Sequence, residues 1–167
     1  PKTAAEIANY QSLLIELKRA FVPHRLWLTV AAAGWGKHLK RETFPFIDRI
    51  HVMAYDQGTP HAPFAGAVKD LRYWETQGAP KAKLLLGLPF YGRNAQNNAR
   101  TYGELMAQFK PTADTDSAGG FHFNGAATIQ RKTQHAVHGG YGGVMIWELG
   151  QDLSLIHISE PTRLWHI

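Results

Sequence analysis

The chain has 167 residues, no cysteine and a formal net charge of +5 at pH 7. Its hydrophobic content of 44% and aromatic content of 11% are those of a globular protein and exclude an intrinsically disordered one. The lack of cysteine excludes disulfides and thiolate metal sites, the scattered basic residues argue against a nucleic-acid surface, and no apolar stretch approaches the roughly 20 residues that span a membrane.

Helices and strands are predicted to alternate along the chain. Apolar residues spaced three and four apart mark the first helix, and Thr3 with Glu6 matches a capping box at its start. In chain order the predicted elements are a helix over Thr3–Phe21, strands over Leu26–Ala33 and Ile47–Tyr55, a helix over Pro63–Gln77, a strand over Lys83–Phe90, a short helix over Tyr102–Phe109, a helix over Ala126–His138 and a strand over Val144–Leu149. The short helix lies in a longer connection from Asn94 to about Asn124, whose polar, glycine-containing middle, Pro111–Gly120, is predicted to be a loop.

This alternation predicts an α/β fold with parallel strands. Four strands are half of the eight in an α/β barrel, and such a barrel takes about 250 residues. The chain is therefore expected to hold part of a barrel.

Three of the predicted strands end in aromatic and charged residues. The segments are Arg49–Asp56 (RIHVMAYD), Lys83–Arg93 (KLLLGLPFYGR) and Gly142–Asp152 (GGVMIWELGQD). Because side chains alternate along a strand, each segment places a pair of such residues on one face. The pairs are Met53 with Tyr55, Tyr91 with Arg93, and Met145 with Trp147. The carboxyl ends of parallel strands are where a barrel keeps its active site, so these tips form the candidate site.

In this order, MAYD, LPFYGR and GGVMIWELGQD resemble strands six, seven and eight of the family 18 glycoside hydrolases, the chitinases and their relatives. Leu26–Trp35 is similar to the fifth strand and Ala4–Phe21 to the helix before it, so the resemblance covers most of the chain up to Asp152. It implies the carboxyl-terminal half, strands five to eight, of a (β/α)8 TIM barrel truncated at its amino terminus. The family's acid/base glutamate, in a D-x-x-D-x-D-x-E segment at the end of strand four, has no counterpart in this sequence.

The resemblance also implies a role for each strand-tip residue in substrate-assisted hydrolysis, in which the sugar's own acetamido group attacks its anomeric carbon. Tyr55 would orient that group, and Asp56 would contact the substrate beside it and raise the pKa of the missing glutamate. Trp147 would form the floor of the central sugar subsite, Tyr91 and Arg93 would bind sugar from the tip of strand seven, and Met53 would touch it. From the residues alone, other roles stay open: a buried phenol and helix cap for Tyr55 and Asp56, core packing for Trp147, and a structural salt bridge for Arg93.

Other conspicuous residues are assigned smaller roles. Trp35 is a candidate for stacking on a sugar at a neighbouring subsite, whereas Trp27 and Trp74 are predicted to pack between the sheet and the helices. The alternation along the strand places Glu148 on the face opposite Trp147, so Glu148 is not a candidate for the general acid. His122, His135 and His138 lack a clearly placed carboxylate partner, and the paired glycines lack a phosphate-loop pattern, so no metal and no cofactor is expected.

The predicted function is that of a fragment of a retaining glycoside hydrolase acting on β-1,4-linked N-acetylglucosamine polymers. The parent is expected to be an enzyme, secreted or in the cell envelope, while the chain alone is expected to be inactive. A chitinase-like lectin, and an endo-β-N-acetylglucosaminidase or peptidoglycan glucosaminidase, are the alternatives. The PFYGR and WELGQD forms favour the chitinase.

The end of the chain is predicted to be foreign to the fold. Leu153–Arg163 (LSLIHISEPTR) resembles the translation of a sequencing-library adapter. Residues 1–152 are therefore interpreted as a partial barrel domain and residues 153–167 as a non-native tail. A final strand or helix is the alternative for this short Leu/Ile alternation.

Overall fold

The computed structural model describes residues 1–152, so the predicted tail lies outside the described residues. The helices are α1 (Ala4–Phe21), α2 (Phe64–Thr76), α3 (Tyr102–Phe109) and α4 (Ala126–His138). The strands are β1 (Thr29–Ala33), β2 (Arg49–Met53), β3 (Leu84–Pro89), β4 (Tyr91–Asn94), β5 (Ala99–Thr101), β6 (Ser117–Ala118), β7 (Phe121–His122) and β8 (Gly143–Trp147). Every predicted helix and strand is present, with strand ends that differ by up to three residues.

The predicted capping box of α1 is confirmed. Thr3 Oγ1 accepts a hydrogen bond from the Glu6 backbone N–H at 3.2 Å, and the Glu6 carboxylate accepts one from the Thr3 backbone N–H at 3.1 Å. Lys18 and Arg19 lie in the last turn, where cations oppose the negative end of the helix dipole. Thr101 and Glu104 cap α3 in the same way.

Four parallel strands form the main sheet, in the order β1-β2-β3-β8. Its outer face is apolar and lies against the helices: Ile50 and Val52 of β2 and Leu84 and Leu86 of β3 are all 0% exposed. They share one core cluster with residues of α1, α2 and α4. Burying a side chain of this size contributes about 1.5–3 kcal/mol, so this face holds the helices on the sheet.

A second, antiparallel sheet, with the order β5-β4-β7-β6, follows β3 and was not predicted. The predicted loop over Pro111–Gly120 is confirmed except at Ser117–Ala118, which form β6. The strands of this sheet are only two to four residues long and carry no regular alternation, so their pairing depends on contacts distant in sequence. Tyr91 and Arg93, which follow directly after β3, lie on β4 of this small sheet. The small sheet packs on α3 through Leu105, Phe121 and Phe123.

Of the two tryptophans predicted to pack between the sheet and the helices, one is buried and the other is exposed. Trp74 is 0% exposed, and its indole N–H donates to the Ala33 carbonyl at 3.0 Å, as predicted. Trp27 is 63% exposed, so its packing role is wrong. The Arg49 guanidinium lies over the Trp27 ring at 4.7 Å, which covers one face of the indole only. Within residues 1–152, no helix has the length and apolarity that crossing a membrane requires.

Candidate active site

The inner face of the main sheet gathers the predicted strand tips. Along β2 the outward residues are fully buried, whereas Met53 and, just beyond the strand, Tyr55 are half-buried on the other face. On β8 the same face carries Met145 and Trp147, as the alternation predicts. Trp147 is in register with Pro89, the last residue of β3. The ends of β2, β3 and β8 thus place these side chains at one rim of the sheet.

Gly87, in the middle of β3, leaves the space in which the side chains of the two neighbouring strands approach each other. A methyl group at Gly87 would lie 3.0 Å from Cε1 of Tyr55 and 3.3 Å from Cε of Met145. Tyr55 and the inner face of β8 therefore meet above this glycine. Trp147 is 51% exposed, so it presents an open indole face and the alternative of core packing is wrong.

Asp56 is the centre of the polar cluster at this rim. One carboxylate oxygen accepts hydrogen bonds from the Tyr91 hydroxyl at 2.8 Å and from Arg93 Nε at 2.5 Å. The other oxygen accepts a hydrogen bond from Arg93 Nη2 at 3.2 Å, so the guanidinium binds the Asp56 carboxylate in a bidentate manner. Asp56 has a φ of 59°, a left-handed conformation that turns its side chain toward β4. The structural salt bridge considered for Arg93 exists, and its partner is itself a candidate site residue.

These contacts set the protonation of the site. Burial acts to raise the pKa of Asp56, but hydrogen bonds from Arg93 and Tyr91 outweigh it, and the pKa lies below its ordinary value. Burial, reinforced by the Asp56 charge, raises the pKa of Tyr55 to about 12. Burial also raises the pKa of Tyr91, together with the hydrogen bond to Asp56 and the Asp56 charge. At neutral pH the site therefore presents one carboxylate, one guanidinium and two neutral phenols.

His61 is a site residue that the sequence interpretation missed. It is 1% exposed, its ring centroid lies 5.1 Å from that of Tyr91, and its Nδ1 lies 3.5 Å from the Asp56 carboxylate. Burial lowers the pKa of His61 despite the nearby carboxylate, which favours a neutral imidazole. Its position five residues after Asp56 was the available signal, because a short loop returning to the same rim brings these two residues together.

A cleft of about 580 Å³ opens beside Tyr55, within the volume range of small-ligand pockets. Met53, Tyr55 and Asp56 line it. Trp35, which is 68% exposed, and Asp70, whose carboxylate accepts a hydrogen bond from Gln57, line it as well. Tyr91 and Arg93 contact the cleft residue Asp56 by hydrogen bonds. Trp147 lies on β8, on the far side of β3 from Tyr55.

The remaining polar candidates do not form a second site. Glu148 accepts a hydrogen bond from Gln151 at 3.0 Å on the exposed side of β8. Asp56 caps no helix, since α2 begins after Pro63 without a side-chain cap. Among residues 1–152 no group of three or more histidines and carboxylates is arranged to hold a metal ion.

The fold and site together define a member of a carbohydrate-hydrolase family. The profile of the glycosyl hydrolases family 18 matches residues 1–152, and the chain belongs to this family. Its fold is accordingly that of the α/β TIM-barrel class, as the solved structures of chitinases with the same α/β arrangement also indicate.

Individual relatives are chitinases or chitinase-like proteins. "Probable chitinase 2" of Drosophila melanogaster is 32% identical over 109 residues, which cover 53% of this chain and 22% of the fly protein. The family 18 chitinase ChiB of Flavobacterium johnsoniae is 32% identical with a TM-score of 0.79, over 86% of this chain and 50% of that one. The chitinase-like agglutinin of Robinia pseudoacacia has a TM-score of 0.80 at 22% identity, over 99% of this chain and 65% of that one, which shows a shared fold.

The chain thus spans about a fifth of the length of the fly relative and half of the bacterial chitinase.

Proposed function

We propose that the chain is the substrate-holding, carboxyl-terminal half of the barrel of a glycoside hydrolase that cleaves β-1,4-linked N-acetylglucosamine polymers with retention. In this proposal the acid/base glutamate is supplied from outside the chain, and the chain alone is inactive. The bacterial chitinase with 32% identity supports the substrate class. The site geometry supports a substrate-holding role without an acid in the chain, because the Asp56 carboxylate is held by hydrogen bonds from Arg93 and Tyr91.

Tyr55 positions the acetamido group in this mechanism. Its pKa of about 12 keeps the phenol protonated, so its hydroxyl donates to the acetamido oxygen. Holding the acetamido oxygen near the anomeric carbon makes the displacement intramolecular, which is worth several kcal/mol of the barrier. The ring of Tyr55 lies 6.1 Å from that of Tyr91 in an edge-to-face arrangement, which limits its rotation.

Asp56 and Trp147 bind the same sugar in this proposal. The Asp56 carboxylate accepts a sugar hydroxyl or the acetamido N–H with its remaining lone pairs, while Arg93 keeps it ionised. Trp147 offers its exposed indole face to the C–H face of the pyranose ring. Met53 lines the cleft between them and Trp35, which suits a sugar chain that continues past Trp35.

The observation that carries the proposal is the meeting of Tyr55 and Asp56 in the cleft, anchored by Tyr91 and Arg93 from a separate sheet. Calorimetry with the chain tests it directly: chitotetraose is expected to bind and cellotetraose, which lacks acetamido groups, is expected to bind at least tenfold more weakly. Equal affinity for the two sugars would contradict the acetamido role of Tyr55.

Turnover is tested separately with a fluorogenic chitobioside. The chain alone is expected to show none, and measurable hydrolysis would place the acid within it. A chimaera with the amino-terminal half of the Flavobacterium chitinase before Pro1 is expected to hydrolyse the substrate. In the chimaera Tyr55→Phe is expected to lower kcat about a hundredfold, whereas Tyr141→Phe, which removes a phenol hydroxyl bonded to Glu75 near the amino end of β8, leaves it unchanged.

A lectin is the second candidate, and the structural likeness to the chitinase-like agglutinin of Robinia keeps it open at the level of the fold. It predicts the same preference for chitotetraose but no hydrolysis of the fluorogenic chitobioside by the parent protein, because a lectin lacks the acid/base glutamate. We also propose that the parent protein is exported, since insoluble polysaccharides lie outside the cell. Detection of the parent protein in the cytosolic fraction alone would contradict export.

A further inference from the structure

A fully buried lysine lies behind the loop that carries Asp56. Lys132 of α4 is 0% exposed, and its Nζ donates to the Ala62 carbonyl at 2.8 Å and to Asn124 Oδ1 at 2.6 Å. Asn124, 3% exposed, donates from Nδ2 to the same carbonyl at 2.9 Å. No carboxylate within residues 1–152 forms an ion pair with Lys132. A buried ammonium without such a partner costs stability, so Lys132 is expected to contribute through the geometry that it fixes.

Three parts of the fold meet at these hydrogen bonds. Lys132 comes from α4, and Ala62 ends the loop that returns from Asp56. Asn124 follows β7, which pairs with β4 through His122 opposite Arg93. The hydrogen bonds therefore join the loop that carries the carboxylate to the small sheet that carries its guanidinium.

His61 transmits the position of Ala62 to Asp56. The His61 carbonyl accepts a hydrogen bond from the Gln57 backbone N–H at 2.8 Å, which closes the loop next to Asp56. The His61 ring fills the space under Asp56 and against the Tyr91 ring. Because His61 is bonded covalently to Ala62 and its ring is fully buried, a shift of Ala62 moves the ring and displaces Asp56.

We propose that Lys132 and Asn124 are positioning residues, which clamp the Ala62 carbonyl and thereby hold Asp56 against Tyr91 and Arg93 for sugar binding. This inference rests on the proposed function for its effect on sugar, but its geometric part does not. Neither residue touches the cleft, so both act through the loop between Asp56 and Ala62.

The chain offers a matched control. Lys83 Nζ also donates to two oxygens, the carbonyls of Phe44 and Ile47, at 2.7 Å each. Lys83 precedes β3 and so lies at the amino end of the sheet, opposite the candidate site. Replacement of either lysine by methionine removes two hydrogen bonds of the same kind, but only Lys132 is linked to Asp56.

The experiment compares Lys132→Met, Asn124→Asp and Lys83→Met in the full chain by two measurements, at a temperature where thermal melts show each variant folded. One is the affinity for chitotetraose by calorimetry, and the other is the NMR chemical shifts of the His61 ring. Lys132→Met is expected to weaken binding about tenfold, because small displacements of positioned groups have large effects. Asn124→Asp keeps the acceptor for Lys132 and is expected to weaken binding about threefold.

Lys83→Met is expected to bind within twofold of wild type and to leave the His61 ring shifts unchanged. Wild-type affinity together with unmoved His61 shifts in folded Lys132→Met overturns the proposal, and so does an equal loss of affinity in Lys83→Met. If Lys132→Met does not fold, Asn124→Asp decides by the same two criteria. If the wild-type chain binds no chitotetraose, the proposed function fails, and the His61 shifts alone decide the clamp.

Discussion

Replacement of Gly87 by alanine should damage both the sheet and the site, because the added methyl group has no space. An ideal Cβ at Gly87 would lie 2.4 Å from the Val52 carbonyl oxygen, about 1 Å short of ordinary contact. That oxygen belongs to the backbone of β2, which pairs with β3 through Val52 and Leu86. It cannot rotate away as a side chain does, so the two strands must separate.

The expected loss of stability follows from the groups that must move to make space for the methyl group. Overpacking in a core costs about 1–3 kcal/mol, and a clash with backbone favours the upper part of that range. For a chain of this size each kcal/mol lowers Tm by about 2–4 °C, so Gly87→Ala is expected to melt roughly 5–10 °C lower. The same methyl group would press on Cε1 of Tyr55 at 3.0 Å, and weaker chitotetraose binding is expected in the folded fraction.

Thermal and urea unfolding followed by circular dichroism measures this effect. Gly150→Ala is the matched control, since a methyl group at Gly150 meets no atom within 4 Å, and its stability should stay within about 0.5 kcal/mol of wild type. A Gly87→Ala protein with the Tm of Gly150→Ala would refute the close approach of β2 and β3 at the site.

Three further predictions concern protonation. Tyr91→Phe removes the hydroxyl that donates to Asp56, so the pKa of Asp56 should rise, and an unchanged ¹³C carboxyl titration would contradict this. Because the pKa of Asp56 is lowered in the fold, the stability it contributes is present above its unfolded value of about 3.9 and is lost as pH falls through the folded value. The excess unfolding free energy of wild type over Arg93→Met should therefore shrink between about pH 5 and pH 2, and a constant difference in urea titrations would count against the ion pair. Burial lowers the pKa of Lys132 to about 8, against about 10.4 unfolded, so the stability of wild type relative to Lys132→Met should increase as pH rises from about 8 to about 10. A flat difference over that range would show that the ammonium is not desolvated.

Local sequence signals predicted the main sheet and its faces. Period-two alternation placed Met53 with Tyr55 and Met145 with Trp147 on the inner face. Residues three and four apart, together with the Thr3 and Glu6 cap, predicted α1. These elements are long enough for the pattern of apolar residues to decide their structure.

The parts that sequence did not predict depend on contacts distant along the chain. The small sheet has strands of two to four residues, so the placement of Tyr91 and Arg93 on β4 follows from pairing with β5 and β7. Lys132 is a single polar residue, and nothing in its neighbours marks it as buried, whereas the only signal for His61 is its position five residues after Asp56. Trp27 is the opposite case: its aromatic side chain next to a strand predicts a place in the core, but it is exposed.

The most direct test of the account is an isotope-filtered NOE experiment on the chain with chitotetraose. The acetamido methyl protons of the sugar are expected to give cross-peaks to ring protons of both Tyr55 and Trp147, because one pyranose would touch both rings. Cross-peaks confined to aromatic residues away from this rim, such as Trp27, would contradict the assignment of the site.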